Sequence, residues 1–125
     1  MAVRGVGSLV LFTPQVRVCR AFYRALGLPL EDEVHEEGPP HTACDVGGVH
    51  VALYEAPAGS APDKGAGGAS LIGFTVDDVD AVFARLRSLD APVIWEPRDM
   101  PWGRTAQVRD PDGRPIELFT PAEPA

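Results

Sequence analysis

The chain has 125 residues, of which 45% are apolar, enough for one compact domain or two small, mutually dependent modules with a real core. Eleven basic residues against 18 acidic ones give a formal charge of −7. That argues against nucleic-acid binding, which needs a basic face, and suits a neutral or cationic small-molecule ligand.

The chain opens on Met1-Ala2-Val3-Arg4-Gly5-Val6-Gly7-Ser8, which lacks the pattern of a signal peptide. No run of 18 apolar residues is present, so no membrane-spanning helix is expected and a cytoplasmic location is. Ser8 to Thr13 reads as a strand, with Leu9 and Leu11 on one face and Ser8, Val10 and Phe12 on the other. Pro14 ends it. Val16, Cys19, Phe22, Tyr23 and Leu26 then form one stripe of an amphipathic helix, closed by Gly27 and Pro29. Arg17, Arg20 and Arg24 fall mostly off the stripe. Leu30 to Glu37 is acidic and reads as an edge strand broken by Gly38-Pro39-Pro40. His41 to Val46 and Val49 to Glu55 are two strands joined by a turn at Gly47-Gly48. Cys19 and Cys44 lack CxxC spacing and read as buried free thiols in a reducing compartment. Residues 57–69, rich in Gly, Ala and Pro, are expected to be a flexible linker.

The pattern then starts again. Ser70 to Val76 is a strand, and Asp77 or Asp78 caps a helix with the stripe Val79, Val82, Phe83, Leu86 and Leu89. Pro92 to Glu96 is a strand, with Trp95 expected to pack in the core. A loop holding Pro97, Pro101, Trp102 and Gly103 follows, and then a strand from Arg104 to Arg109. Asp110-Pro111-Asp112-Gly113 is a tight turn into the last strand, where Glu117 stands between Ile116, Leu118 and Phe119. A carboxylate within an apolar strand costs free energy unless a metal, a ligand or a hydrogen-bond partner meets it. The tail from Pro121 to Ala125 is expected to be disordered.

The two halves are copies. At an offset of 63 Leu9 meets Ile72, Leu11 meets Phe74, Val16 meets Val79 and Leu26 meets Leu89. At an offset of 65 Asp45, Gly48, Leu53 and Tyr54 meet Asp110, Gly113, Leu118 and Phe119, with Ala52 standing where Glu117 stands. The economical reading is two strand–helix–strand–strand–strand modules, each with a helix over one face of its sheet.

The segments RAFYRALGLPL, LIGFTVDDVDAVFARL and PWGRTAQVRDPDGRPIELFTP, in this order and repeated pattern, resemble the vicinal oxygen chelate superfamily of glyoxalase I, extradiol dioxygenases and bleomycin-resistance proteins. The likeness runs from Ser8 to Pro121. It implies an α+β fold of paired βαβββ modules, forming a curved mixed sheet around a cavity. The chain would then be a single domain: module one at 1–56, a linker at 57–69 and module two at 70–121. A homodimer is implied as well. The family's metal enzymes draw ligands from positions held here by Ser8, Ala52, Leu71 and Glu117. Only Glu117 is a good ligand, so the sequence looks like a metal-free, antibiotic-binding-like member without a cofactor.

Strand alternation puts Ser8, Val10, Phe12, Ala52, Tyr54, Leu71, Gly73, Thr75, Glu117 and Phe119 on the cavity face, with His50 beside Ala52. The expected ligand contacts are Trp102, Glu117, Tyr54, Phe12, Phe119, Ser8, Thr75 and His50. His35 and His41 are expected at the surface or hydrogen-bonded. The expected function is binding of a planar or cationic small molecule, such as an antibiotic. The alternatives are a lyase or isomerase with Glu117 as acid or base and, further off, a metal-dependent glyoxalase or dioxygenase.

Overall fold

Pro14 stops the first strand, and the apolar period behind it changes from two to 3.6. The computed structural model, which describes residues 2–33, 41–56 and 70–123, follows that change. It contains two compact units, Met1–Arg24 with Leu28–Ala61, and Ala25–Gly27 with Pro62–Ala125. The first holds β1 (Ser8–Thr13), α1 (Val16–Leu26) except its last two residues, β2 (Glu31–Glu33), β3 (His41–Val46) and β4 (Val49–Glu55). The second holds β5 (Ile72–Thr75), α2 (Val79–Ser88), β6 (Val93–Met100), β7 (Gly103–Arg109) and β8 (Pro115–Pro121). The sheets run β1-β4-β3-β2 and β5-β8-β7-β6, so the repeat in sequence is a repeat in topology. In each sheet the first strand is parallel to the last and the remaining pairs are antiparallel. The class is α+β.

Cys19, Phe22, Tyr23 and Leu26 are buried along α1, as their spacing predicts. Thr13, fully buried at the end of β1, accepts a hydrogen bond from the Gln15 N–H at 3.1 Å and touches Cys19 Sγ at 3.3 Å. The β3–β4 turn is two residues long, with Gly47 at φ 57° and Gly48 at φ 80°. Positive φ at both centres is what a right-twisted two-residue hairpin requires, and glycine meets it without steric cost. The acidic segment forms strand only at Glu31–Glu33, on the sheet edge. There Arg20 bridges both oxygens of Asp32 at 2.7 and 2.9 Å and holds its carboxyl below the ordinary range. The remainder of that expected strand, and the expected linker at 57–69, lie outside the described residues.

In the second unit Asp78 caps α2, its carboxylate accepting from the Ala81 N–H at 3.1 Å. The buried stripe is Val79, Val82, Phe83 and Leu86. Leu89, expected on that stripe, is instead the C-cap residue and half exposed, because the helix ends one residue before it. The helix lies against β6, β7 and β8, over Ala106, Val108, Ile116 and Leu118, all fully buried. Arg104 ties β7 to the first turn of α2 through both Asp80 oxygens, at 2.7 and 2.9 Å, and reaches Asp99 at 2.9 Å. It keeps Asp80's carboxyl below its ordinary value. The pair therefore adds stability above the unfolded carboxylate range and loses it as pH falls through the lowered value.

Pro97 lies in β6 rather than in a loop. The β6–β7 register slips between Val93 and Trp95 and again between Trp95 and Arg98, where three residues of β6 span two of β7. β6 is the outer strand, so a proline at this bulge removes no obligatory ladder bond. The expected loop shrinks to a two-residue turn at Pro101-Trp102 between the paired Met100 and Gly103. The expected disordered tail is likewise shorter. Pro121 closes β8, and the Ala122 N–H donates to the Trp102 carbonyl at 3.0 Å.

The Asp-Pro-Asp-Gly turn is more than a tight bend. Asp110, Asp112 and Arg114 are 2%, 5% and 8% exposed. Arg114 donates to Asp110 Oδ2 and Asp112 Oδ2, both at 2.9 Å. Asp110 Oδ1 accepts from the backbone N–H groups of Asp112 and Arg114, also at 2.9 Å. Removing the cation of a buried charged set leaves the carboxylates' charge uncompensated. Arg114→Met is expected to cost about 3–5 kcal/mol of stability by urea unfolding. A loss under about 1 kcal/mol would mean that the network does not hold the turn.

Candidate functional site

The sheet face away from α2 is built by register. Ile116 and Leu118 point under the helix and are fully buried, so Glu117 and Phe119 point the other way. Across the sheet Glu117 lies between Gly73 and Gln107, with Trp95 beyond Gln107. The next row is Thr75, Phe119, Thr105 and Arg98. These two rows therefore carry a carboxylate, an amide, two hydroxyls, two aromatic rings and a guanidinium.

Two glycines shape it. A Cβ on Gly73 would lie 3.6 Å from Glu117 Oε1, so the carboxylate extends over the space this glycine leaves. Gly103, at φ 154°, is tighter: a Cβ there would fall 2.3 Å from the Thr120 carbonyl and 2.7 Å from the Phe119 ring. The ring lies across that glycine. The Glu117 carboxylate has no hydrogen-bond donor or cation among the described residues. Thr105 is 5% exposed and its hydroxyl oxygen is unpartnered among them.

The corresponding face of the first sheet is built the same way. Ser8, His50 and Asp45 form one row, Val10, Ala52 and Ala43 the next, and Phe12, Tyr54, His41 and Glu33 the third. His50, expected beside Ala52, is there, and its Nδ1 lies 2.9 Å from Asp45 Oδ1. Asp45, the counterpart of Asp110, thus pairs sideways with a histidine instead of folding back into its own turn. His41 is only 7% exposed. Its Nε2 lies 3.0 Å from Glu33 Oε2, and its ring stacks on Tyr54 with centroids 4.3 Å apart and planes 10° apart. Phe12 continues the aromatic row, 6.1 Å from Tyr54. Sequence reasoning missed the stacked His41 and its partner Glu33. The alternation of His41, Ala43 and Asp45 along one strand face carried the signal for His41's side of the sheet, but not for its partner.

The expected contacts thus fall in two sets: Ser8, Phe12, His50 and Tyr54 on the first sheet, and Thr75, Glu117 and Phe119 on the second. Trp102, 61% exposed, stands apart from Glu117. It is in the turn beyond the Gly103–Pro121 pair, about 13 Å or more along the strand from Glu117 at about 3.3 Å per residue. Trp95 is not a core residue. It is 43% exposed and stacks under the Arg98 guanidinium, which is 3.9 Å from its ring centroid. Of the free thiols Cys19 is buried, whereas Cys44 is only partly so, and burial raises its thiol pKa. His35 lies outside the described residues.

The donor set does not suit a divalent ion. Of the four positions that carry metal ligands in the resembling enzymes, Ala52 and Leu71 have no donor atom, Ser8 offers a neutral hydroxyl, and only Glu117 offers a carboxylate. Leu71 also precedes β5 instead of lying within it and is half exposed. No cluster of three or more His, Cys, Asp or Glu among the described residues is arranged to hold a metal.

The Glyoxalase/Bleomycin resistance protein/Dioxygenase superfamily model matches residues 5–118, and the chain belongs to that family. Among solved structures it is similar to TnmS3, an antibiotic-binding protein from Streptomyces sp. CB03234. The identity is 28% over 98% of this chain and 99% of that one, with a TM-score of 0.68. A glyoxalase/bleomycin resistance protein from the same Streptomyces is 26% identical over 93% of this chain and 100% of that one, with a TM-score of 0.68. The fosfomycin resistance protein FosX of Mesorhizobium loti shares the fold at 18% identity, covering 97% of this chain and 95% of that one with a TM-score of 0.69. No curated protein matches the chain. Among the described residues no helix is long and apolar enough to cross a membrane.

The two glycines separate by their surroundings. Gly73→Ala meets only ordinary contacts and is expected to change stability by about 0.5 kcal/mol or less. Gly103→Ala must move either the Phe119 ring or the β8 backbone and is expected to cost about 1–3 kcal/mol. Thermal unfolding of both variants checks this, and equal losses would contradict the placement of Phe119 over Gly103.

Proposed function

We propose that this protein binds and sequesters a planar or cationic small molecule, in the manner of an antibiotic-binding protein, without using a metal. The observation that carries the reading is Glu117: an acceptor-only carboxylate beside Phe119, lacking a described cation. A ligand bearing an ammonium or a hydroxyl would satisfy the carboxylate, and its rings would lie on the aromatic surface. TnmS3, similar over its whole length and described as antibiotic-binding, supports the same reading. Sequestration needs no chemistry, so it needs neither a cofactor nor the ligand set this chain lacks. A cytoplasmic homodimer is part of the proposal, since exposed apolar residues such as Val10, Phe12 and Leu71 would gain from being covered.

The test is a tryptophan-fluorescence titration with cationic, planar antibiotics and aromatic amines. Glu117→Gln is expected to weaken binding of cationic ligands by about tenfold or more at low salt and by less at high salt. Trp102→Ala, at an exposed turn, is expected to leave stability nearly unchanged and to weaken binding by about 1–3 kcal/mol if the indole covers the ligand. Unchanged affinity in both variants would put the site elsewhere. A ligand that is turned over, with turnover lost about a hundredfold in Glu117→Gln while binding persists, would make Glu117 an acid–base group instead.

A further inference from the structure

The arginines of the second unit can be accounted for one at a time. Arg85 donates to the Ala25 carbonyl and Arg109 to the Gly113 carbonyl. Arg87 lies near Glu96, Arg104 holds Asp80 and Asp99, and Arg114 holds Asp110 and Asp112. Arg98 is left. Its neighbours in sequence, Glu96 and Asp99, are the ones engaged by Arg87 and Arg104. Among the described residues Arg98 has no acceptor for its N–H groups. Its one contact among them is the face of Trp95, at 3.9 Å.

That contact holds the guanidinium over the ring without using its donors. An arginine laid flat on an indole keeps its in-plane N–H fork available, in the geometry that meets a carboxylate through two parallel hydrogen bonds. The bulge at Glu96-Pro97 makes the arrangement possible. Without it Trp95 and Arg98, three residues apart, would point to opposite faces. Instead Trp95 pairs with Gln107 and Arg98 with Thr105, on the face that carries Glu117. Glu117 and Arg98 are two strand spacings and two residues apart on this face, about 12 Å between Cα atoms. Between them lie Gln107, Phe119 and the buried Thr105 hydroxyl, unpartnered among the described residues.

We infer that Arg98 on Trp95 is an anion subsite, and that the ligand is bipolar: a planar ring system with a cationic or donor group for Glu117 and a carboxylate or other anionic group for Arg98. The inference rests on the reading of Glu117 as the cation anchor and adds the second end of the ligand. It also gives a role to the one arginine of this unit that, among the described residues, donates to no oxygen.

The probes are rhodamine B, a cationic planar xanthene with a free carboxylate, and its ethyl ester, in which that carboxylate is masked. Both are titrated by fluorescence anisotropy at pH 8 into the wild-type protein, Arg98→Gln and Glu117→Gln. The wild type is expected to bind the acid about tenfold tighter than the ester. Arg98→Gln should bind both dyes alike, at the ester's wild-type affinity, and Glu117→Gln should weaken both by a common factor. Circular dichroism and melting temperature should match the wild type for Arg98→Gln, whose side chain supports no other described residue than Trp95. Equal binding of acid and ester by the wild type, or a preference that survives Arg98→Gln, overturns the anion subsite and leaves the cation anchor standing. Ester binding unaffected by Glu117→Gln, or no binding of either dye, overturns the cation anchor and the bipolar ligand with it.

Discussion

Arg114, held between two buried carboxylates, sets the β7–β8 register, and the candidate site depends on that register. The network closes the turn at Asp110–Arg114, where the Asp110 N–H donates to the Arg114 carbonyl and the Gly113 N–H to the Asp110 carbonyl, both at 2.9 Å. β8 leaves it with Pro115 opposite Arg109 and Glu117 opposite Gln107. Side chains alternate along a strand, so a slip of one residue would turn Glu117 under α2 and expose Leu118. Burying a lone carboxylate beneath an apolar helix is costly, which penalises that slip a second time. The polar turn and the apolar helix face thus specify the same register.

The first unit has the same topology with different chemistry. Its turn needs no buried ions, because Gly47 and Gly48 adopt the hairpin conformation directly. Asp45 is free to hold His50, and Ala52 replaces the carboxylate that its partner position keeps. One fold copy has become an aromatic and histidine face, with His41, Tyr54 and Phe12 in a row. The other keeps an acid and a base at opposite corners, neither of them ion-paired among the described residues.

Much of this was legible in the sequence. Both helices, the β3–β4 turn, the repeat and the side of the sheet on which Glu117 stands follow from period-two and period-3.6 patterns that burial enforces strongly. The failures have local physical causes. A proline in β6 reads as a loop, but it is tolerated on an outer strand at a bulge, and bulges leave no periodic trace. A second register shift, between Val93 and Trp95, turned Trp95 from the core side to the surface, and the bulge after it put Arg98 on the same face. Leu89 fits the α2 stripe, yet helix ends are set by capping within a residue or two rather than by period. The pairing of His41 with Glu33 crosses from one strand to another, and the acidic segment between them carries no pattern that announces it.

Most of what is proposed for this protein rests on binding without a metal, because a family rich in metal sites is represented here by a chain with one good ligand among four positions. The most direct measurement is calorimetric titration of proflavine, a planar cation, into protein dialysed against a chelator, repeated after adding an equivalent of zinc, nickel or manganese. The account predicts the same dissociation constant in every case. Binding that appears only with a metal present, or tightens by tenfold or more when one is added, would contradict it.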